Sequence, residues 1–154
     1  MTKLAIFAAG CFWGIEEKFL SQRGVLDTEV GYTGGITNEP SYHDVCSGET
    51  GHAEAVRVKF DQDIVSYEEL VSLFFEMHDP MKKAKTQYSS SIFVCDEEQL
   101  RIAEEEVYKL GPLCTTFIEP LTSWTDAEKK HQNYLEKRAV LKRKHNAKRK
   151  IASK

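Results

Sequence analysis

The 154-residue chain carries only four cysteines, and their positions, Cys11, Cys46, Cys95 and Cys114, suit neither a compact disulfide framework nor a paired C-x-x-C metal site. Free thiols are the expectation, with no bound metal or cofactor. No apolar run is long enough to cross a bilayer. The N-terminus lacks a basic segment leading into a long apolar stretch and a cleavage site, so a cytoplasmic protein without membrane contact is expected. Internal repeats and low-complexity segments are also missing from residues 1–128, and the length suits one domain with a buried core.

Charge is nearly balanced overall, at −3, yet it is unevenly placed. Residues 129–154 hold 11 Lys/Arg and one acid, Glu136, which leaves 10 basic and 23 acidic residues in 1–128. A basic tail of this kind can bind nucleic acid or an anionic surface, or it can be a solvated helix docked on its own acidic domain. We divide the chain accordingly into a domain at 1–137 and a basic C-terminal tail at 138–154.

The most informative stretch is Gly10-Cys11-Phe12-Trp13-Gly14. Leu4 to Ala9 reads as a buried strand, and Phe12 to Gln22 reads as a helix with apolar Trp13, Ile15, Phe19 and Leu20. Cys11 therefore sits at a helix N-terminus, where unpaired N–H groups and the macrodipole favour an anion and can lower a thiol pKa. Taken alone, a cysteine beside two aromatics can equally be packed core.

Further along, Val25–Tyr32 and Ala53–Phe60 read as strands, with Glu54 near the start of the second. Residues 36–51 form a long aperiodic loop between them. Ser66 caps a helix over Tyr67–Met77, with Glu69 placed as in a capping box. Ser91–Cys95 is a strand, Glu97–Leu110 a helix and Thr115–Leu121 a further strand. Cys95 and Cys114, on or beside strands, are assigned to the core. The order β-α-β-β-α-β with a trailing α-β-α predicts an α+β fold: a ferredoxin-like split β-α-β core with a mixed sheet, an extra strand and a C-terminal helix.

Downstream of the thiol the chain carries, in order, Gly31-Tyr32-Thr33-Gly34-Gly35, then Tyr42 with Val45-Cys46-Ser47-Gly48, and Thr50-Gly51-His52-Ala53-Glu54. His78-Asp79-Pro80, Thr86-Gln87-Tyr88, Ala127-Glu128 and His131-Gln132-Asn133-Tyr134-Leu135 follow. This ordered set resembles the A-type peptide methionine sulfoxide reductases, from residue 4 to about Lys137.

The resemblance implies the same ferredoxin-like fold and a thiol-dependent reduction of methionine S-sulfoxide, protein-bound or free, through a cysteine sulfenic acid. It implies Cys11 as the nucleophile. Glu54, which by itself reads as an ordinary carboxylate at a strand start, becomes the acid, with a pKa raised by burial. Tyr42 and Tyr88 match two phenols that hydrogen-bond the sulfoxide oxygen, and Phe12 and Trp13 match the apolar pocket for the S-methyl group. The implied partners are oxidised proteins and an external thiol reductant, thioredoxin or an equivalent, acting on a monomer.

Two departures from the family pattern stand out. The loop between His-Asp-Pro and Thr-Gln-Tyr is only Met81 to Lys85, with Lys83 where the family usually has an Asp and Ser89 where an Arg commonly follows the Tyr. The tail has no cysteine after Cys114, which leaves Cys46 as the internal candidate for resolving the sulfenic acid, beside a one-cysteine cycle. Alternative readings are a sulfoxide-binding module with weak turnover, and a nucleic-acid-binding domain using the basic tail.

Overall fold

The computed structural model describes residues 1–140. Six strands, β1 (Thr2–Ala9), β2 (Val25–Thr33), β3 (Ala53–Asp61), β4 (Ser90–Val94), β5 (Phe117–Pro120) and β6 (Thr125–Asp126), form one sheet in the order β5-β4-β1-β3-β2-β6. The central four are antiparallel, as the split β-α-β pattern requires. β5 is parallel to β4 and returns to it through a helical crossover. Helices α1 (Phe12–Leu20), α2 (Tyr42–Cys46), α3 (Tyr67–Glu76) and α4 (Glu97–Leu110) complete the architecture. A further helix begins at residue 134 and runs to the edge of the described residues, so most of the basic tail lies outside them.

The apolar run at Leu4 to Ala9 is continuous because β1 is covered on both faces. Ala5 and Phe7 point into the main core under α1 and α3, while Ile6 and Ala8 join Ala53, Ala55 and Phe93 on the opposite face. Phe7 stacks on Phe19 at 5.0 Å and on Phe74 at 5.1 Å, which fastens both helices to the centre of the sheet.

Three expectations need correction. The stretch 36–51 is not aperiodic throughout, because α2 interrupts it. Ser41 Oγ accepts from Asp44 N while the Asp44 carboxylate accepts from Ser41 N, a complete capping box that lets five residues form a helix. Cys95 and Cys114 are not core: Cys95 is exposed just past the end of β4, and Cys114 is half-buried in the segment leading to β5. A second added strand, β6, pairs with β2 at Gly31 and Tyr32, where a Cβ on Gly31 would meet the Thr125 carbonyl and the Trp124 ring. Two residues are too short to carry an alternating pattern that sequence could display.

Candidate active site

Register brings three chain segments to one end of the sheet. Ala9 at the end of β1 lies opposite Ser90 at the start of β4, and Phe7 lies opposite Val56 near the start of β3. Cys11 just after β1, Glu54 at the second position of β3 and Gln87–Tyr88 just before β4 therefore meet there. Gly10 turns the chain at φ +90°, a conformation open to glycine, and Cys11 becomes the N-cap of α1.

The Cys11 thiol is exposed, yet its pKa is pushed above the ordinary value. Desolvation is the largest cause, and the Glu54 carboxylate adds to it. The helix does contribute, through the Trp13 backbone N–H that favours the thiolate, but this is outweighed. The expected lowering by the helix N-terminus is thus overturned by the protein wall behind the sulfur.

Glu54 is 1 % exposed. Its Oε1 accepts from Phe12 N at 3.3 Å and its Oε2 from Gln87 Nε2 at 2.6 Å. Burial raises its pKa, and these two donors oppose the rise without cancelling it. The result is a carboxyl biased toward holding a proton close to a thiol.

The short α2 helix places Tyr42 and Cys46 at i and i+4, on one face. Gln87 Nε2 donates to the Cys46 sulfur at 3.2 Å, and Tyr42 lies near the same sulfur. Burial raises the pKa of Tyr42 and Tyr88, so both phenols keep their protons at neutral pH. Tyr88 lies close enough to Glu54, Cys46, Cys11 and Tyr42 for each to act on its hydroxyl. Cys11, Glu54, Tyr42, Tyr88 and Cys46 are therefore one cluster.

Phe12 is fully buried against Tyr32, Tyr42 and His131, whereas Trp13 is half-buried. The Trp13 ring stacks on Tyr134 at 3.8 Å, and its Nε1 donates to His131 Nδ1 at 3.1 Å. That bond puts the His131 proton on Nε2, and burial favours the neutral ring. Among the described residues no group of three or more His, Cys, Asp or Glu side chains is arranged to hold a metal ion.

Three side chains of this neighbourhood received no role from sequence. Gln87 bridges Glu54 and Cys46. Glu128 accepts from the Tyr32 hydroxyl at 3.0 Å and from Tyr42 N at 3.1 Å, pinning the start of α2. His131 packs between Phe12, Trp13 and Tyr42. The motifs at 127–128 and 131–135 were visible, but no periodicity links residues 118 positions apart.

A thiol at a helix start, a buried carboxyl and two phenols, mounted on a split β-α-β sheet, define a thiol-based redox site. The family model for peptide methionine sulfoxide reductase matches residues 3–154. The probable peptide methionine sulfoxide reductase of Schizosaccharomyces pombe is 42 % identical over 151 residues, covering 88 % of this chain and 89 % of that one. Methionine sulfoxide reductase A of Corynebacterium diphtheriae has a TM-score of 0.79 at 35 % identity, covering 88 % of this chain and 74 % of its own. Mxr1 of Saccharomyces cerevisiae in reduced form also gives 0.79, at 34 % identity and 88 % and 85 % coverage. Mxr1 in complex with Trx2 gives 0.60, at 27 % identity and 86 % and 84 % coverage. The chain belongs to the peptide methionine sulfoxide reductase family.

Proposed function

We propose that this chain reduces methionine S-sulfoxide, free or within polypeptides, to methionine. The carrying observation is the buried Glu54 carboxyl facing the exposed Cys11 thiol, with two protonated phenols beside them. The Cys11 sulfur attacks the electrophilic sulfoxide sulfur, and the S–O bond breaks. Oxygen passes to Cys11 as a sulfenic acid and methionine leaves, so one sulfur gains two electrons while the other loses two. Glu54 protonates the oxygen as negative charge grows on it, and the proton released by the Cys11 thiol balances that transfer. Tyr42 and Tyr88 donate O–H bonds to the same oxygen, and these strengthen toward the transition state. Trp13, half-buried beside Cys11, offers the apolar wall for the S-methyl group, with the buried Phe12 packed behind it.

An external thiol then attacks the sulfenic acid, releasing water and forming a mixed disulfide, and a second thiol frees Cys11. A thioredoxin-like dithiol fits this step, in line with the capture of Mxr1 with Trx2. Cys46, which shares the Gln87 Nε2 donor with Glu54, offers an internal route to the same end. Intact mass after one turnover without reductant separates the routes: a sulfenic acid adds an oxygen, whereas an internal disulfide removes two hydrogens. We place the reaction in the cytoplasm, in a monomer whose domain is residues 1–137. No helix among the described residues is long and apolar enough to cross a membrane.

The test is methionine formation from separated S and R epimers with dithiothreitol. Turnover of the S epimer alone, abolished by Cys11→Ser, is expected. Full turnover by Cys11→Ser would remove the proposed nucleophile.

A further inference from the structure

A depression lies beside Ser89 and Ser90, which directly follow Tyr88 of the cluster. It is a cleft of about 610 Å³, a size typical of ligand sites at roughly 300–1,000 Å³, and is walled by loop residues 82–84 and by residues 112–117. A smaller cleft of about 280 Å³ adjoins it, sharing Ala84, Ser89 and Phe117. Two large apolar side chains stand open to solvent here, Leu113 at 77 % and Phe117 at 59 % exposure.

Among the described residues, Lys82 and Lys83 bring the only charges to the larger cleft. Neither is in an ion pair among the described residues. Glu119 supplies one negative charge, in the smaller cleft. The two walls are stapled together: Thr115 N donates to the Pro80 carbonyl at 2.7 Å, and Thr115 Oγ1 reaches the Pro80 and Lys82 carbonyls at 2.9 and 3.2 Å. Ser90 Oγ is held between His78 Nε2 and Thr116 Oγ1, each at 2.7 Å. β5 is the terminal strand of the sheet among the described residues, so its outer edge can meet an extended chain beside Phe117.

We infer that this cleft seats the stretch of a polypeptide substrate next to its oxidised methionine, and that Lys82 and Lys83 select stretches pairing an acidic side chain with an apolar one. The inference rests on the reductase reading above. A stapled, pre-formed cleft loses little order on binding, and its unpaired lysines keep their attraction for an incoming carboxylate. Apolar contact with Leu113 and Phe117 supplies the area, and charge supplies the choice.

The experiment compares kcat/KM for two sulfoxide peptides of equal length, one with Glu-Leu and one with Lys-Leu beside the oxidised methionine, and for free methionine sulfoxide. Two exposed charge pairs should favour the acidic peptide by about three- to tenfold at low salt, and the preference should shrink as salt rises. A Lys82→Glu/Lys83→Glu variant should reverse the preference while leaving the free substrate unchanged. Equal values for the two peptides in the wild-type chain would overturn the inference and leave the reductase reading standing. So would a charge-swapped variant that loses as much on the free substrate as on the peptides. Failure to reduce any of the three substrates would instead overturn the reductase reading.

Discussion

Replacing Gln87 by leucine should move the pH dependence of the chemical step. Gln87 is 7 % exposed, and its Nε2 donates to Glu54 Oε2 at 2.6 Å. Burial pushes the Glu54 carboxyl upward, and the Gln87 amide is the larger of the two groups pulling it back, ahead of the Phe12 N–H. A hydrogen bond to a charged group contributes about 1.5–3 kcal/mol, and one pKa unit corresponds to about 1.36 kcal/mol. Losing that donor removes the larger of the two groups favouring the ionised form, so the substitution should raise the Glu54 pKa further.

The assay is methionine release in a single turnover of pre-reduced protein as a function of pH. Chemistry needs the Cys11 thiolate and the Glu54 acid together; burial raises both groups, from ordinary values about four units apart with the carboxyl the lower, and that order is kept. The competent fraction therefore rises with pH until Glu54 ionises, stays level, and falls once Cys11 has ionised. The acidic break reports Glu54 and the alkaline break Cys11. Gln87→Leu should carry the acidic break upward by about one to two pH units and leave the alkaline one in place. A rate lowered equally at every pH, with both breaks unmoved, would refute the assignment of Gln87 and Glu54.

Substitutions at three further positions test the supports of the site. Glu128→Ala strands the buried Tyr32 hydroxyl and frees the start of α2, so urea unfolding should show a loss of about 1–3 kcal/mol and reduction should slow through displaced Tyr42. Glu128→Gln, which keeps an acceptor, should restore part of both. Gly35→Ala drives a methyl into the Thr50 carbonyl and to 2.5 Å from the His52 ring; the expected cost is about 1–3 kcal/mol in the same assay. Trp13→Phe keeps an aromatic against Tyr134 but removes the bond to His131, and should lower stability by about 1 kcal/mol with a raised KM for sulfoxide.

Much of this protein was legible from local chemistry. The apolar run before Gly10-Cys11 announced a central strand, because a continuous hydrophobic stretch is what a strand covered on both faces needs. Ser66 announced the start of α3, and its hydroxyl does accept from Glu69 N at 3.0 Å. The β-α-β-β-α-β order led to the antiparallel central sheet, since right-handed crossovers leave few ways to close it. Ordered motifs pointed to Cys11, Glu54, Tyr42 and Tyr88 before any geometry was known.

Tertiary structure decided what those groups are in chemical terms. A helix N-terminus argued for a depressed thiol pKa, but desolvation is a property of everything packed around the sulfur, and it wins. Gln87 bridges Glu54 to Cys46, and Trp13 meets His131, across separations that no periodicity encodes. Sequence determined which side chains are present and which local elements carry them. Their proton affinities, their partners and the stapled lysine cleft depend on burial and on distances through space, quantities that exist only once the chain has folded.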